Sequence, residues 1–105
     1  MEINGREVII TEKFQHSLFA IKQYIRQDSE QHAEWFVAGV YSFVERVIAP
    51  LPEAFPEYQG KPTIRRIYRK AVFKKKYIII YKVLKSKIEV LLIYHGSRNP
   101  RSIKV

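Results

Sequence analysis

Tyr77-Ile78-Ile79-Ile80-Tyr81-Lys82-Val83, then Lys85-Ser86-Lys87, then Ile88-Glu89-Val90-Leu91-Leu92-Ile93-Tyr94 is the part of the chain that decides the fold. Both apolar runs are rich in β-branched and aromatic residues, which suit a pleated surface. The first reads as a strand over 74–84, with Tyr77, Ile79, Tyr81 and Val83 on one face and Ile78, Ile80 and Lys82 on the other. The second, 88–94, is almost continuously apolar, the mark of a central strand buried on both faces. The polar residues between them form a short turn, so the two strands make a β-hairpin. Ile64 and Ile67, set among arginines, predict another strand over 63–69 pairing beside the hairpin as a meander.

Upstream the period changes. Val8-Ile9-Ile10 reads as a short strand, and Thr11 as the N-cap of a helix with Glu12 in its first turn. Phe14, Leu18, Ile21 and Ile25 recur at helical spacing and predict an amphipathic helix over 12–27. Asp28-Ser29 breaks it, and Asp28 with Gln31 resembles a capping box for a second helix over 30–49. Pro50, Pro52, Pro56, Gly60 and Pro62 exclude helix and predict a surface connection over 50–62. The fold class that follows is α+β. An N-terminal strand and an antiparallel helical hairpin pack on one face of a C-terminal antiparallel β-sheet. The first strand lies at an edge or pairs with a later one, and the opposite sheet face stays open and carries many of the C-terminal cations. Residues 1–105 form a single domain.

The 105 residues contain no cysteine, which excludes a disulfide scaffold, a thiolate metal site and a cysteine nucleophile. The apolar runs fall well short of the roughly 20 residues a spanning helix needs. With no apolar leader after Met1 to Arg6, a cytoplasmic protein without membrane contact is expected. The net charge of +9 is unevenly placed. Residues 1–60 carry five Lys/Arg and nine Asp/Glu, whereas residues 61–105 carry fourteen Lys/Arg and only Glu89, a local charge of +13. Such asymmetry attracts nucleic acid or an acidic protein segment, against the plainer reading of a solvated basic surface.

No phosphate-binding loop, nucleophile elbow or zinc-protease motif is present, and His16, His32 and His95 show no metal-ligand spacing, so neither a metal nor another cofactor is expected. Cations interleave with Tyr68, Phe73, Tyr77, Tyr81 and Tyr94, a combination that suits phosphate contact with base stacking. The structural alternative is that Tyr77 and Tyr81 simply fill the sheet. Arginine and lysine also stabilise charge on a phosphoryl transition state, and His95, beside Arg98, is the histidine placed to move a proton for them. Its alternative role is to stabilise a turn.

Ile64-Arg65-Arg66, the run Tyr77–Val83, and Ile88 to Pro100 with its His95-Gly96-Ser97-Arg98-Asn99-Pro100 ending resemble the RelE/ParE superfamily, toxins of type II toxin–antitoxin modules also called plasmid stabilisation proteins. The likeness covers nearly the whole chain and lies closer to the ParE-like branch. It implies a growth-inhibiting toxin, acting on DNA gyrase, in a hetero-oligomer with a co-encoded acidic antitoxin. Arg65, Arg66, Arg69, Tyr81, Arg98 and Arg101 would then contact target or antitoxin. The alternative is a RelE-like, metal-independent endoribonuclease cutting mRNA on the ribosome. In that case Arg65, Arg66 or Lys82 would hold phosphate and His95 would be the acid or base. No aromatic residue follows His95, a departure from the usual ribonuclease pattern. A third reading is a non-toxic nucleic-acid-binding module.

Overall fold

The computed structural model describes residues 1–58, 68–98 and 103. Val8-Ile9-Ile10 belongs to β2 (Arg6–Ile10), the second arm of a small N-terminal hairpin whose first arm is β1 (Glu2–Ile3). Asn4 and Gly5 join the two at φ +53° and +82°. Asparagine and glycine fill such a turn with little strain.

Thr11 starts α1 (Glu12–Arg26) as expected. Its hydroxyl accepts from the Phe14 amide at 3.2 Å and donates to the Val90 carbonyl at 2.8 Å, so one side chain both caps the helix and ties it to the sheet. The cap of α2 (Glu30–Phe43) is Ser29 rather than Asp28. Its hydroxyl accepts from His32 N at 3.1 Å, which replaces the expected capping box. Lys22–Glu34 and Arg26–Glu30 ion pairs join the two helices. The second helix extends as far as expected, but Val44–Ile48 forms a π turn closed by Ala49 N to Val44 O at 2.9 Å. The wider turn leaves Val44 and Ile48 both in the core.

After a short 3-10 turn (Pro52–Ala54) come β3 (Tyr68–Phe73), β4 (Tyr77–Val83) and β5 (Lys87–His95). The expected strand over 63–69 is met only at its end, since 63–67 lie outside the described residues. Lys74 to Lys76 do not open β4. They form the turn after β3, with Lys74 and Lys75 at φ +52° and +63°. The five strands stand in the order β1-β2-β5-β4-β3. Three neighbouring pairs are antiparallel, but β2 runs parallel to β5, with Ile10 opposite Val90, so the sheet is mixed. The expected first strand, β2, therefore pairs inward with the last, and β1 takes the edge.

Two apolar clusters hold the layers together. Phe14, Leu18, Phe36 and Val40 from the helices meet Ile79, Tyr81, Ile88, Val90 and Ile93 on one sheet face. The opposite face is not open. Tyr68, Ile80, Leu92, Tyr94 and Ile103 form a second cluster there, because a bulge lets β5 supply both faces. Ile80 pairs with Leu92 but Tyr81 pairs with Val90, which leaves Leu91 as the extra residue. Alternation is thereby reset within one strand.

The described part of the 50–62 connection is also more firmly held than a surface loop. Tyr81, fully buried, donates its hydroxyl to Pro52 O at 2.5 Å. Arg69 Nη1 donates to Phe55 O at 2.6 Å and to Glu53 O at 3.4 Å. Tyr58 N to Tyr68 O and Lys70 N to Pro56 O add two strand-like bonds along the β3 edge.

Burial raises the phenol pKa of Tyr77, Tyr81 and Tyr94, most strongly at Tyr81. A phenol whose pKa is higher in the folded state favours folding while it is protonated in both states. That contribution is lost once the unfolded chain ionises first, above about pH 10. Alkaline titration followed by circular dichroism is expected to show a stability plateau below that pH and a steep loss above it. Tyr81→Phe should flatten the alkaline limb, and at neutral pH it should lower stability by about 1–3 kcal/mol by orphaning the Pro52 carbonyl.

Candidate functional site

At the C-terminal end of β5 a cleft of about 630 Å³ opens between the sheet and α1. It exists because β2 stops at Ile10, opposite Val90, and the chain turns there into α1. Beyond that point helix rather than strand flanks β5, and Ser17 Oγ accepts from Ile93 N at 3.1 Å in place of a ladder partner. Tyr24 and Tyr77 supply aromatic walls, and Lys76, His95 and Arg98 stand at the rim. Tyr94 borders the cleft but is buried in the cluster on the opposite sheet face. No carboxylate lines the cleft among the described residues. Tyr24 is 72% exposed, so its ring is presented to solvent rather than packed away.

The turn after β5 is built tightly. Gly96 N donates to Lys76 O at 2.7 Å, and Arg98 N donates to His95 O at 3.0 Å. A Cβ on Gly96 would stand 3.2 Å from that same Lys76 carbonyl, which explains glycine here. The lysine turn and the His95–Arg98 turn are thereby docked to each other by backbone.

His95 has a defined tautomer. Its Nδ1 accepts from Ser97 N at 3.1 Å and lies 2.7 Å from Ser97 Oγ. A backbone N–H only donates, so Nδ1 is the acceptor and the neutral ring carries its proton on Nε2. The ring also meets Tyr77 edge-on at 5.3 Å between centroids. In this arrangement the basic nitrogen is occupied by the turn, and the other nitrogen has no lone pair to offer as a base.

The cations named from the sequence do not converge on one point. Arg98 and His95 share the cleft. Arg65, Arg66 and Arg101 lie outside the described residues. Arg69 is partly buried and directed inward to the Glu53 and Phe55 carbonyls, so it anchors a loop instead of facing a partner. Tyr81, at 0% exposure, is likewise a core residue and offers no surface for contact. Lys82 points to the other sheet face, 3.9 Å from Glu89 and over the Tyr68 ring. It is five residues along β4 from Tyr77, the partner of His95, or roughly 17 Å at strand rise. Lys82 and His95 therefore do not hold one phosphate between them. Lys76 and Tyr24 were missed as site residues. Lys76 was visible as the end of a lysine run, and Tyr24 as an aromatic displaced from the buried stripe of its helix.

Among the described residues, no group of histidines and carboxylates has the arrangement of a metal site, and no helix is long and apolar enough to cross a membrane. The candidate site is thus a cleft at the end of the last strand of a mixed sheet under a helical hairpin, rimmed by Lys76, His95 and Arg98.

The family model for the ParE toxin of the type II toxin–antitoxin system parDE matches residues 8–100, and the chain belongs to that family. No curated protein matches the sequence. Among solved structures, the chromosomal ParDE toxin–antitoxin system from P. aeruginosa is similar at a TM-score of 0.63 and 19% identity, over 87% of this chain and 96% of that one. A conserved hypothetical protein from Helicobacter pylori, solved in solution, is similar at 0.55 and 17%, over 89% and 97% respectively. At these identities the likeness is one of fold.

The tight turn gives a direct check of the geometry. Gly96→Ala is expected to destabilise the protein by about 1–2 kcal/mol through crowding of the Lys76 carbonyl, lowering Tm by several degrees in a thermal melt.

Proposed function

We propose that this protein is a growth-inhibiting toxin that acts on DNA gyrase in the cytoplasm and is held inactive by a co-encoded acidic antitoxin. Membership of the ParE toxin family carries this reading. The distribution of charge supports the antitoxin half of it, because an acidic segment laid along the +13 C-terminal half neutralises both partners. The cleft at Tyr24, Lys76 and Arg98 supports binding rather than cleavage. The geometry at His95 occupies Nδ1 with Ser97, and Lys82 stands on the far face of the sheet. His95 on this reading shapes the turn that presents Arg98. Arg65, Arg66 and Arg101 remain proposed contacts to target or antitoxin alongside Arg98.

Induced expression is expected to stop growth, with altered DNA supercoiling or double-strand breaks preceding any loss of message. Arg98→Ala should weaken inhibition of purified gyrase by roughly tenfold, equivalent to about 1.4 kcal/mol. His95→Gln should retain activity to within a few-fold. Early mRNA cleavage with unchanged topology, abolished by His95→Gln, would instead establish the endoribonuclease. Growth that does not slow at all would remove the toxin reading.

A further inference from the structure

The chain contains two tight turns with the same backbone demand and opposite solutions to it. Between Ile3 and Arg6, and between Phe73 and Lys76, both central residues have positive φ. The first turn uses Asn4 and Gly5, the residue types that adopt this conformation most readily. The second uses Lys74 and Lys75, at φ +52° and +63°, a residue type that the left-handed region disfavours. Strain held at an exposed site points to a role for the side chains that impose it. All three lysines of this turn are exposed. None of them takes part in an ion pair among the described residues, and Lys74 Nζ lies 5.5 Å from the centre of the Phe73 ring.

The position of the turn indicates what those charges meet. Lys76 is on the rim of the β5 cleft with Arg98, and its carbonyl is bonded to Gly96, so the lysine turn is docked by backbone to the turn that carries Arg98. The exposed ring of Tyr24 and the half-buried ring of Tyr77 lie in the same cleft, whose 630 Å³ is room for a nucleotide base. Cations along a rim with an open aromatic face, Tyr24, beside them suit a sugar–phosphate strand with unpaired bases. An acidic peptide would use the charges and leave the open tyrosine face unemployed.

We propose that the Lys74–Lys76 turn and the adjoining tyrosine cleft bind single-stranded nucleic acid, with Lys74 and Lys75 on consecutive phosphates and Tyr24 stacked on a base. This goes beyond the toxin reading and is decided by direct binding, whatever the growth assay shows.

The test uses the full chain and a fluorescent twelve-residue oligothymidylate, titrated by anisotropy at several salt concentrations, with Tm measured in parallel. Lys74→Asn/Lys75→Gly copies the N-terminal turn into this one. It is expected to raise Tm by about 5 °C while weakening the oligomer at least tenfold. The slope of log affinity against log salt should fall by about 1.4, for two lost single-strand phosphate contacts. Lys74→Gln/Lys75→Gln removes the charge but keeps the strain, and should lose the same affinity with little change in Tm. Tyr24→Ala should weaken binding at least fivefold. Lys85→Gln/Lys87→Gln, at the other end of the hairpin, should change it less than twofold. The proposal is overturned if the wild type does not bind, or if both double-lysine pairs matter equally. A Glu-rich peptide of matched charge that displaces the oligomer at equal concentration also overturns it, by assigning the turn to acidic protein. An unchanged Tm in the Asn/Gly variant removes the argument from strain.

Discussion

The placement of β5 at the centre of the sheet is the constraint on which the rest depends. It is parallel to β2 on one side and antiparallel to β4 on the other, and both of its faces are covered. A strand in that position must present apolar side chains in both directions, and its apolar run from Val90 to Tyr94 does so. The bulge at Leu91 then sends Val90 and Ile93 to the helices, and Leu92 and Tyr94 to the other side. The same strand outruns β2, and the gap so created is the cleft. Core, second cluster and candidate site are thus three consequences of one strand.

A second consequence concerns charge. The C-terminal half is basic as a whole, yet its cations divide into separate roles once folded. Arg69 satisfies loop carbonyls, and Lys82 and Lys87 share Glu89 on the outer face. Lys76 and Arg98 remain at the cleft rim. Ion pairs that stay partly in contact with water, as these do, contribute little individually, about 0–1 kcal/mol. The Arg69 contacts differ because the side chain is partly buried and its bond to Phe55 O is short. Net charge alone does not separate a cation that holds a loop from one that meets a partner.

Much of the fold was legible because its signals are local. Helix periodicity placed α1 and α2 to within a residue or two at their starts, and Thr11 was recognisable as a cap. Alternation assigned the faces of β4 correctly from Tyr77 to Val83. The errors fell where backbone conformation overrode side-chain preference. Lys74 to Lys76 read as the start of a strand because lysine carries no turn signal, and the structure folds them into a turn at positive φ. The sheet face thought to be open is covered because one irregular residue, Leu91, re-phases β5. The 50–62 connection looked free because prolines exclude helix without excluding anchorage, and Tyr81 and Arg69 anchor its described part.

By itself the sequence determined an α+β chain with a helical hairpin, a C-terminal hairpin of strands and a strongly basic end. It could do so because periodicity, capping and charge are properties of neighbouring residues. Only the tertiary structure decided that β2 lies parallel to β5, because such pairing joins residues some eighty positions apart. The same long-range pairing selected which cations reach the cleft. The tautomer of His95 is set locally instead, by the Ser97 amide two residues on in the turn after β5. Sequence resemblance indicated the family, while the chemistry available at the site depended on where a bulge, a short strand and two tight turns brought Tyr24, Lys76, His95 and Arg98.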